Sequence, residues 1–196
     1  MPSTRDLTAA PVEPDDATVS YRGDHFRRYL DADTIQARVQ EMGRQISDRY
    51  DGQNPILVSV LNGAFMFTAD LMRALSIDCE IDFIKLSSYG AAKVSSGEVH
   101  ELKSIDADLE DRDVIIVEDI VDTGLTMEFI KDRLREYDPA SLCVATLLHK
   151  PEATEPDLTL DYVGFQIPDL FVIGYGLDYG QLARNLGDIY ILDESA

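Results

Sequence analysis

Residues 114–127 read VIIVEDIVDTGLTM and hold the densest chemistry in the chain. An apolar strand pattern runs into Glu118 and Asp119, Asp122 follows three residues later, and Thr123-Gly124-Leu125-Thr126 opens a helical pattern. A helix N-terminus offers unpaired N–H groups and a partial positive charge. Gly124 lets an anion approach the backbone, and Thr123 and Thr126 add hydroxyl donors. Together these make a phosphate cup. The neighbouring acids would repel a bare phosphate. They suit ribose hydroxyls, water-bound Mg²⁺ or a proton in transit. A strand–turn–helix with capping Asp and Thr residues is the plainer explanation. Capping alone does not call for two adjacent acids, a third acid and a Thr-Gly-x-Thr turn. The glycine patterns of a P-loop and of a dinucleotide fold are absent.

These residues need a scaffold, and the hydropathy pattern describes one. Ile35, Val39, Met42 and Ile46 recur at helical spacing behind a capping-box-like Asp33 and Gln36, and Gly52 closes that region. Residues 55–61 (PILVSVL) suit a buried strand, Asn62-Gly63 breaks it, and 64–75 read as a helix. Strand patterns follow at 80–86, 113–117, 141–148, 158–167 and 170–175, with a helix at about 126–137. Residues 87–104 form a long polar stretch expected to be a functional or mobile loop. Strands alternating with helices predict an α/β fold, a mostly parallel central sheet flanked by helices. Ligands of such sheets bind beyond the carboxyl ends of the strands, where Glu118 and Asp119 stand.

The motif resembles the phosphoribosyl-pyrophosphate motif of type I phosphoribosyltransferases, and the acid at Asp122 resembles the hypoxanthine-guanine branch. The resemblance extends over Leu61-Asn62-Gly63, Ser88-Tyr89, His149-Lys150-Pro151, VGFQIPDLFVIGYGLDY at 163–179 and Arg184. It implies a parallel-sheet domain over 21–196 with a small hood and a mobile lid. It implies ribose held by Glu118 and Asp119, the 5′-phosphate by Thr123, Gly124, Leu125 and Thr126, and a purine ring proton managed by Asp122. Lys150 would donate to the 6-oxo group, Phe171 would stack on the ring, and the Val172 backbone would meet its edge. Leu61, Asn62, Gly63 and Arg184 would contact pyrophosphate, through an unusual cis peptide after Leu61. Ser88 and Tyr89 would belong to the lid. Asn62 stands where the family usually has Lys and brings no charge. Mg²⁺ is the implied cofactor, bound by Asp178 directly and by Glu118 and Asp119 through water. The implied partners are phosphoribosyl pyrophosphate, a 6-oxopurine base, and further copies of the chain in a homodimer or homotetramer. Two rivals share this fold: a xanthine-preferring enzyme, and a non-catalytic regulator that senses phosphoribosyl pyrophosphate.

Composition narrows the alternatives. The chain of 196 residues carries 37 acids and 17 bases, a net charge of −20. That charge argues against nucleic acid and against an anionic membrane surface. The polar start, 1–20, reads as a flexible arm rather than a signal segment, so a cytoplasmic location is expected. Cys79 and Cys143 read as two buried thiols, and His25, His100 and His149 are too scattered to make a zinc set. Only five of the 17 bases are lysine, which together with the charge suggests a chain adapted to a salty cytoplasm. Melting followed across a KCl series is then expected to show a temperature that climbs with salt. A flat series would mean no more than an acidic, solvated surface.

Overall fold

The structure, a computed structural model, describes residues 17–88, 99–154 and 158–193. In chain order the elements are β1 (Thr18–Tyr21), β2 (Asp24–Leu30), α1 (Ala32–Arg49), β3 (Ile56–Leu61), α2 (Phe65–Ala74), β4 (Glu80–Ser88), β5 (Val99–Lys103), β6 (Asp113–Val121), α3 (Leu125–Arg135), β7 (Ser141–His149), β8 (Tyr162–Gln166), β9 (Val172–Ile173) and β10 (Ile189–Leu192). Six strands form the central sheet in the order β5-β4-β3-β6-β7-β8. Every pair is parallel except β4 with β5 at the edge. The remaining four strands form an antiparallel hood, β1-β2-β10-β9, over a small core of Phe26, Ile173, Ala183 and Tyr190.

Strand periodicity sorts the core. In β6, Ile115 and Val117 pack with Ile35, Val39, Met42 and Ile46 of α1 and Phe67 and Leu71 of α2. Val114 and Ile116 face the other way, toward Met127, Ile130 and Leu134 of α3. Helices therefore cover both faces, which is why β3 and β6 read as near-continuous apolar runs. From the adjacent pair β3 and β6 the chain winds outward in opposite directions, through α2 to β4 and through α3 to β7. That reversal opens a crevice at the carboxyl ends of β3 and β6.

Several sequence expectations shift. The α1 cap is Asp31, not Asp33; its extended backbone lets its carboxylate accept from Thr34 N at 2.7 Å. Gln36 instead donates to Asp70 Oδ2 at 2.6 Å. Strand β6 continues past Val117 through both acids to Val121, because β7 pairs with it that far. Residues 158–167 yield only β8, and 170–175 only β9, since Gly174, Tyr175 and Gly176 all take positive φ and coil the chain. The long polar stretch is partly strand. Ser87 and Ser88 extend β4, and Val99–Lys103 pairs antiparallel with it. Residues 89–98 lie outside the described residues. So do 1–16 of the expected arm, while Thr18–Tyr21 is a strand paired with β2. Cys143 is buried as expected, but Cys79 is only half-buried; both are free thiols.

Buried Asp82 fastens the segment that returns from β5. Its Oδ2 accepts from Asp106 N at 2.6 Å and Ala107 N at 2.8 Å, and its Oδ1 accepts from Phe83 N at 2.6 Å and Lys103 Nζ at 3.0 Å. Burial alone would raise its pKa, but the Ala107 N–H, the Lys103 ammonium and the other two N–H groups hold it below the ordinary value. A depressed folded-state pKa stabilises the fold above the unfolded value of about 4 and loses that contribution as pH falls through the folded one. Asp82→Asn is expected to cost about 1–3 kcal/mol at neutral pH. In urea titrations its deficit should shrink as pH drops below ~4; a deficit independent of pH would contradict the charge-based account.

Candidate active site

The crevice at the ends of β3 and β6 gathers most of the residues singled out from sequence. At the start of α3, Gly124 sits in the left-handed region at φ 90° and no side chain caps the helix. The first helical bond runs from Glu128 N to Gly124 O at 2.9 Å, so the amides ahead of it have no partner within the helix. Glu118, Asp122, Thr123, Gly124, Thr126 and Met127 line a cavity of about 100 Å³ here. The Leu125 side chain is exposed and does not line it, so this residue can serve only through its amide. A Cβ on Gly124 would come 2.9 Å from Leu158 Cδ2, so glycine suits both the turn and the packing.

Along β6, Glu118 turns toward α3 and Asp119 toward the Leu61–Gly63 turn, and both border one cavity at the sheet edge. Glu118 lies with Thr126 and Met127 on the α3 side, only 8% exposed. Asp119 lies against the Leu61–Gly63 turn. A Cβ on Gly63 would fall 1.5 Å from Asp119 Oδ2, so only glycine fits. Asp119 N donates to Glu118 Oε1 at 3.2 Å, and Ile120 N to Asp119 Oδ1 at 2.8 Å. Burial, and then the charge of Asp119, push the Glu118 carboxyl well above the ordinary range. Burial also raises Asp119, against its bonds to Glu118 and the Ile120 N–H and the pull of Arg184. Two adjacent carboxyls that burial pushes toward their neutral forms suit hydroxyl groups, which both donate and accept.

Asn62 and Gly63 border a larger cleft of about 390 Å³, and the Leu61–Asn62 peptide is cis. Leu61 lines an adjoining cavity of about 280 Å³ with Glu118, Asp119 and Thr126. The large cleft brings Asp122, Lys150, Phe171, Val172, Asp178 and Arg184 together. Lys150, 7% exposed, follows β7, and its backbone N donates to Val121 O at 2.9 Å. Its ammonium donates to Asp122 Oδ2 and to Asp169 Oδ1, each at 2.9 Å. Burial would lower the Lys150 pKa, but the bonds to Asp169 and Asp122 raise it. Thr154 Oγ1 shares its one hydroxyl proton between the main-chain oxygens of Lys150 (at 2.9 Å) and of Asp122, tying the two loops together.

Phe171 is 50% exposed and packs T-shaped with Tyr179 and tilted against Phe26, with centroids 5.7 Å and 6.4 Å away. A half-exposed aromatic face in a cleft suits a planar base. At the far end, Arg184 Nη2 pairs with Asp178 Oδ1 at 2.6 Å and its Nη1 donates to Gly176 O at 2.7 Å. Asp178 Oδ2 accepts from Gln181 N at 2.8 Å.

Of the two residues expected in a lid, Ser88 closes β4 and Tyr89 lies outside the described residues. Sequence reasoning missed Ile120, which lines all three cavities, and Asp169, which holds Lys150. Ile120 looks like any strand aliphatic, and Pro168-Asp169 looks like a turn; no local signal separates either. No group of three or more His, Cys, Asp or Glu is placed to share a metal among the described residues. No helix among them is long and apolar enough to cross a membrane.

Comparison with known proteins agrees with this geometry. A phosphoribosyl transferase domain family model matches residues 25–180. A hypoxanthine-guanine phosphoribosyltransferase of Mycobacterium bovis is 43% identical over 192 residues, 95% of each chain. A hypoxanthine phosphoribosyltransferase of Salmonella typhimurium is 46% identical over 165 residues, 82% of this chain and 93% of the relative. Among solved structures, a hypoxanthine-guanine phosphoribosyltransferase from Bacillus anthracis aligns with a TM-score of 0.81 at 40% identity, covering 92% of this chain and 100% of that one. The fold, the cleft and these likenesses converge: the chain belongs to the phosphoribosyltransferase family, among the hypoxanthine-guanine phosphoribosyltransferases.

Proposed function

We propose that the chain transfers a 5-phosphoribosyl group from phosphoribosyl pyrophosphate to hypoxanthine or guanine, giving IMP or GMP and pyrophosphate, as a cytoplasmic purine-salvage enzyme. The observation that carries this reading is that the uncapped start of α3, the Glu118–Asp119 pair and the Lys150–Phe171 cleft adjoin one another in that order. A nucleoside monophosphate has the same order of parts: phosphate, ribose, base.

Each residue then has a task. The Thr123–Thr126 turn binds the 5′-phosphate, and Glu118 and Asp119 orient the ribose hydroxyls. Lys150 donates to the 6-oxygen, which a 6-amino purine could not accept. Phe171 lies on the ring and the Val172 main chain meets its edge. Arg184 and the Leu61–Gly63 turn hold pyrophosphate. The bond from ribose carbon 1 to pyrophosphate breaks, carbon 1 gains cationic character, and a ring nitrogen attacks with inversion. Asp122 takes the proton from nitrogen 7. Water would intercept the cation, which is the physical reason for a lid carrying Ser88 and Tyr89. A homodimer or homotetramer belongs to this reading.

Mg²⁺ fits the donor set. The cleft is lined by Asp119, Asp122 and Asp178, which among the described residues are not grouped as a carboxylate cage, and Mg²⁺ favours one or two carboxylates, water and substrate phosphates. Asp178 would hold it directly, with Glu118 and Asp119 reaching it through water. When bound, it neutralises the leaving pyrophosphate.

A spectrophotometric panel of hypoxanthine, guanine, xanthine, adenine and uracil with the activated sugar tests the reading. Turnover of the first two is expected. Preference for xanthine would move the assignment to a sibling activity, and tight RNA or DNA binding without turnover would make the chain a regulator. Asp122→Asn is expected to keep substrate KM values within a few fold while kcat falls by roughly 10²–10⁴; a variant with parental turnover would refute the base assignment. Gly63→Ala pushes a methyl group into Asp119 and is expected to lower kcat/KM for the sugar substrate by about 10²-fold. Normal kinetics in that variant would show that the approach of Gly63 to Asp119 is dispensable.

A further inference from the structure

The Lys150 ammonium is gripped from two elements. Asp122 comes from the turn before α3 and Asp169 from the connection between β8 and β9, and both accept at 2.9 Å. An ammonium has three donors. Two are spent on carboxylates, which leaves one for an acceptor in the cleft. The Asp169 side chain is 67% exposed, so its packing does not explain the contact. Asp169 does not line the cleft; Asp122 and Lys150 do.

The charge balance of proton transfer gives this second carboxylate a purpose. As the N–H bond of the purine breaks and an O–H bond forms on Asp122, that carboxylate becomes neutral. If Asp122 were the only counter-ion, Lys150 would become a buried, unpaired cation at the moment its hydrogen bond to the 6-oxygen matters most. Asp169 takes no part in that proton transfer and stays beside the ammonium. Burial disfavours the charged amine, and the bond to Asp169 is the foremost contribution opposing it.

We propose that Asp169 is a positioning residue that anchors the Lys150 ammonium, so that it stays aimed at the 6-oxygen while Asp122 changes charge. The proposal rests on the roles given to Lys150 and Asp122 above. Steady-state kinetics of Asp169→Asn, Asp169→Glu, Lys150→Gln and the Asp169→Asn/Lys150→Gln double variant test it. Asp169→Asn is expected to lower kcat/KM for hypoxanthine and guanine about tenfold or more, the worth of one hydrogen bond to a charged group. The KM for phosphoribosyl pyrophosphate and the melting temperature should stay at parental values, and Asp169→Glu should recover part of the loss. In the Lys150→Gln background the Asp169→Asn change should add less than about twofold, because the residue acts through Lys150. Parental base kinetics in Asp169→Asn, or an undiminished loss in the double variant, would overturn the proposal while leaving the role of Lys150 standing. Parental base kinetics in Lys150→Gln would sink that role, and the proposal with it.

Discussion

The crevice exists because β3 and β6 pair in parallel and the chain leaves them in opposite directions. That single arrangement brings a turn after one strand against the acids of the next. The contact leaves no slack: the Asp119 carboxylate occupies the space a side chain on Gly63 would need. Both cores, one on each face of the sheet, serve to hold these two strand ends in register. The hood then closes over them with Phe171, and β7 delivers Lys150 from the other side.

The electrostatic problem of the cleft follows from its position. Asp119, Asp122 and Asp178 line it against Lys150 and Arg184, and each cation is already paired with a carboxylate. In a chain of net charge −20, side chains do little to attract a polyanion. In the proposed reading main-chain amides supply most of that attraction, at the start of α3 and in the Leu61–Gly63 turn, beside Arg184. They carry a fixed partial charge and need no counter-ion. Asn62, in the place of the family's usual lysine, fits that division of labour by offering neutral hydrogen bonds.

The sheet and the strand–turn–helix of β6 and α3 were legible in the sequence because each has a local signature. Buried parallel strands read as apolar runs, and Glu118–Thr126 is a contiguous motif on one strand–turn–helix. The hood was not legible strand by strand. Its strands are short and antiparallel, and β2 pairs with β10 across more than 150 residues, which no local pattern reports. The polar β5 was hidden because its composition, VHELK, reads as loop. Asp169 and Ile120 reach the cleft through partners distant in sequence, so their placement appears only once Lys150 and the cleft are in place. Asp33 misled because a second acid, Asp31, stood two residues earlier with the extended backbone a cap requires.

The central claim is that main-chain amides at the start of α3 hold a phosphoryl group while the paired acids beside them hold its sugar. A crystal structure of the protein with IMP measures this directly. The account predicts the 5′-phosphate within hydrogen-bond distance of the 123–126 amides, the ribose hydroxyls on Glu118 and Asp119, and the 6-oxygen on Lys150. A phosphate bound outside that turn, or a base lodged away from Phe171 and Lys150, would contradict it.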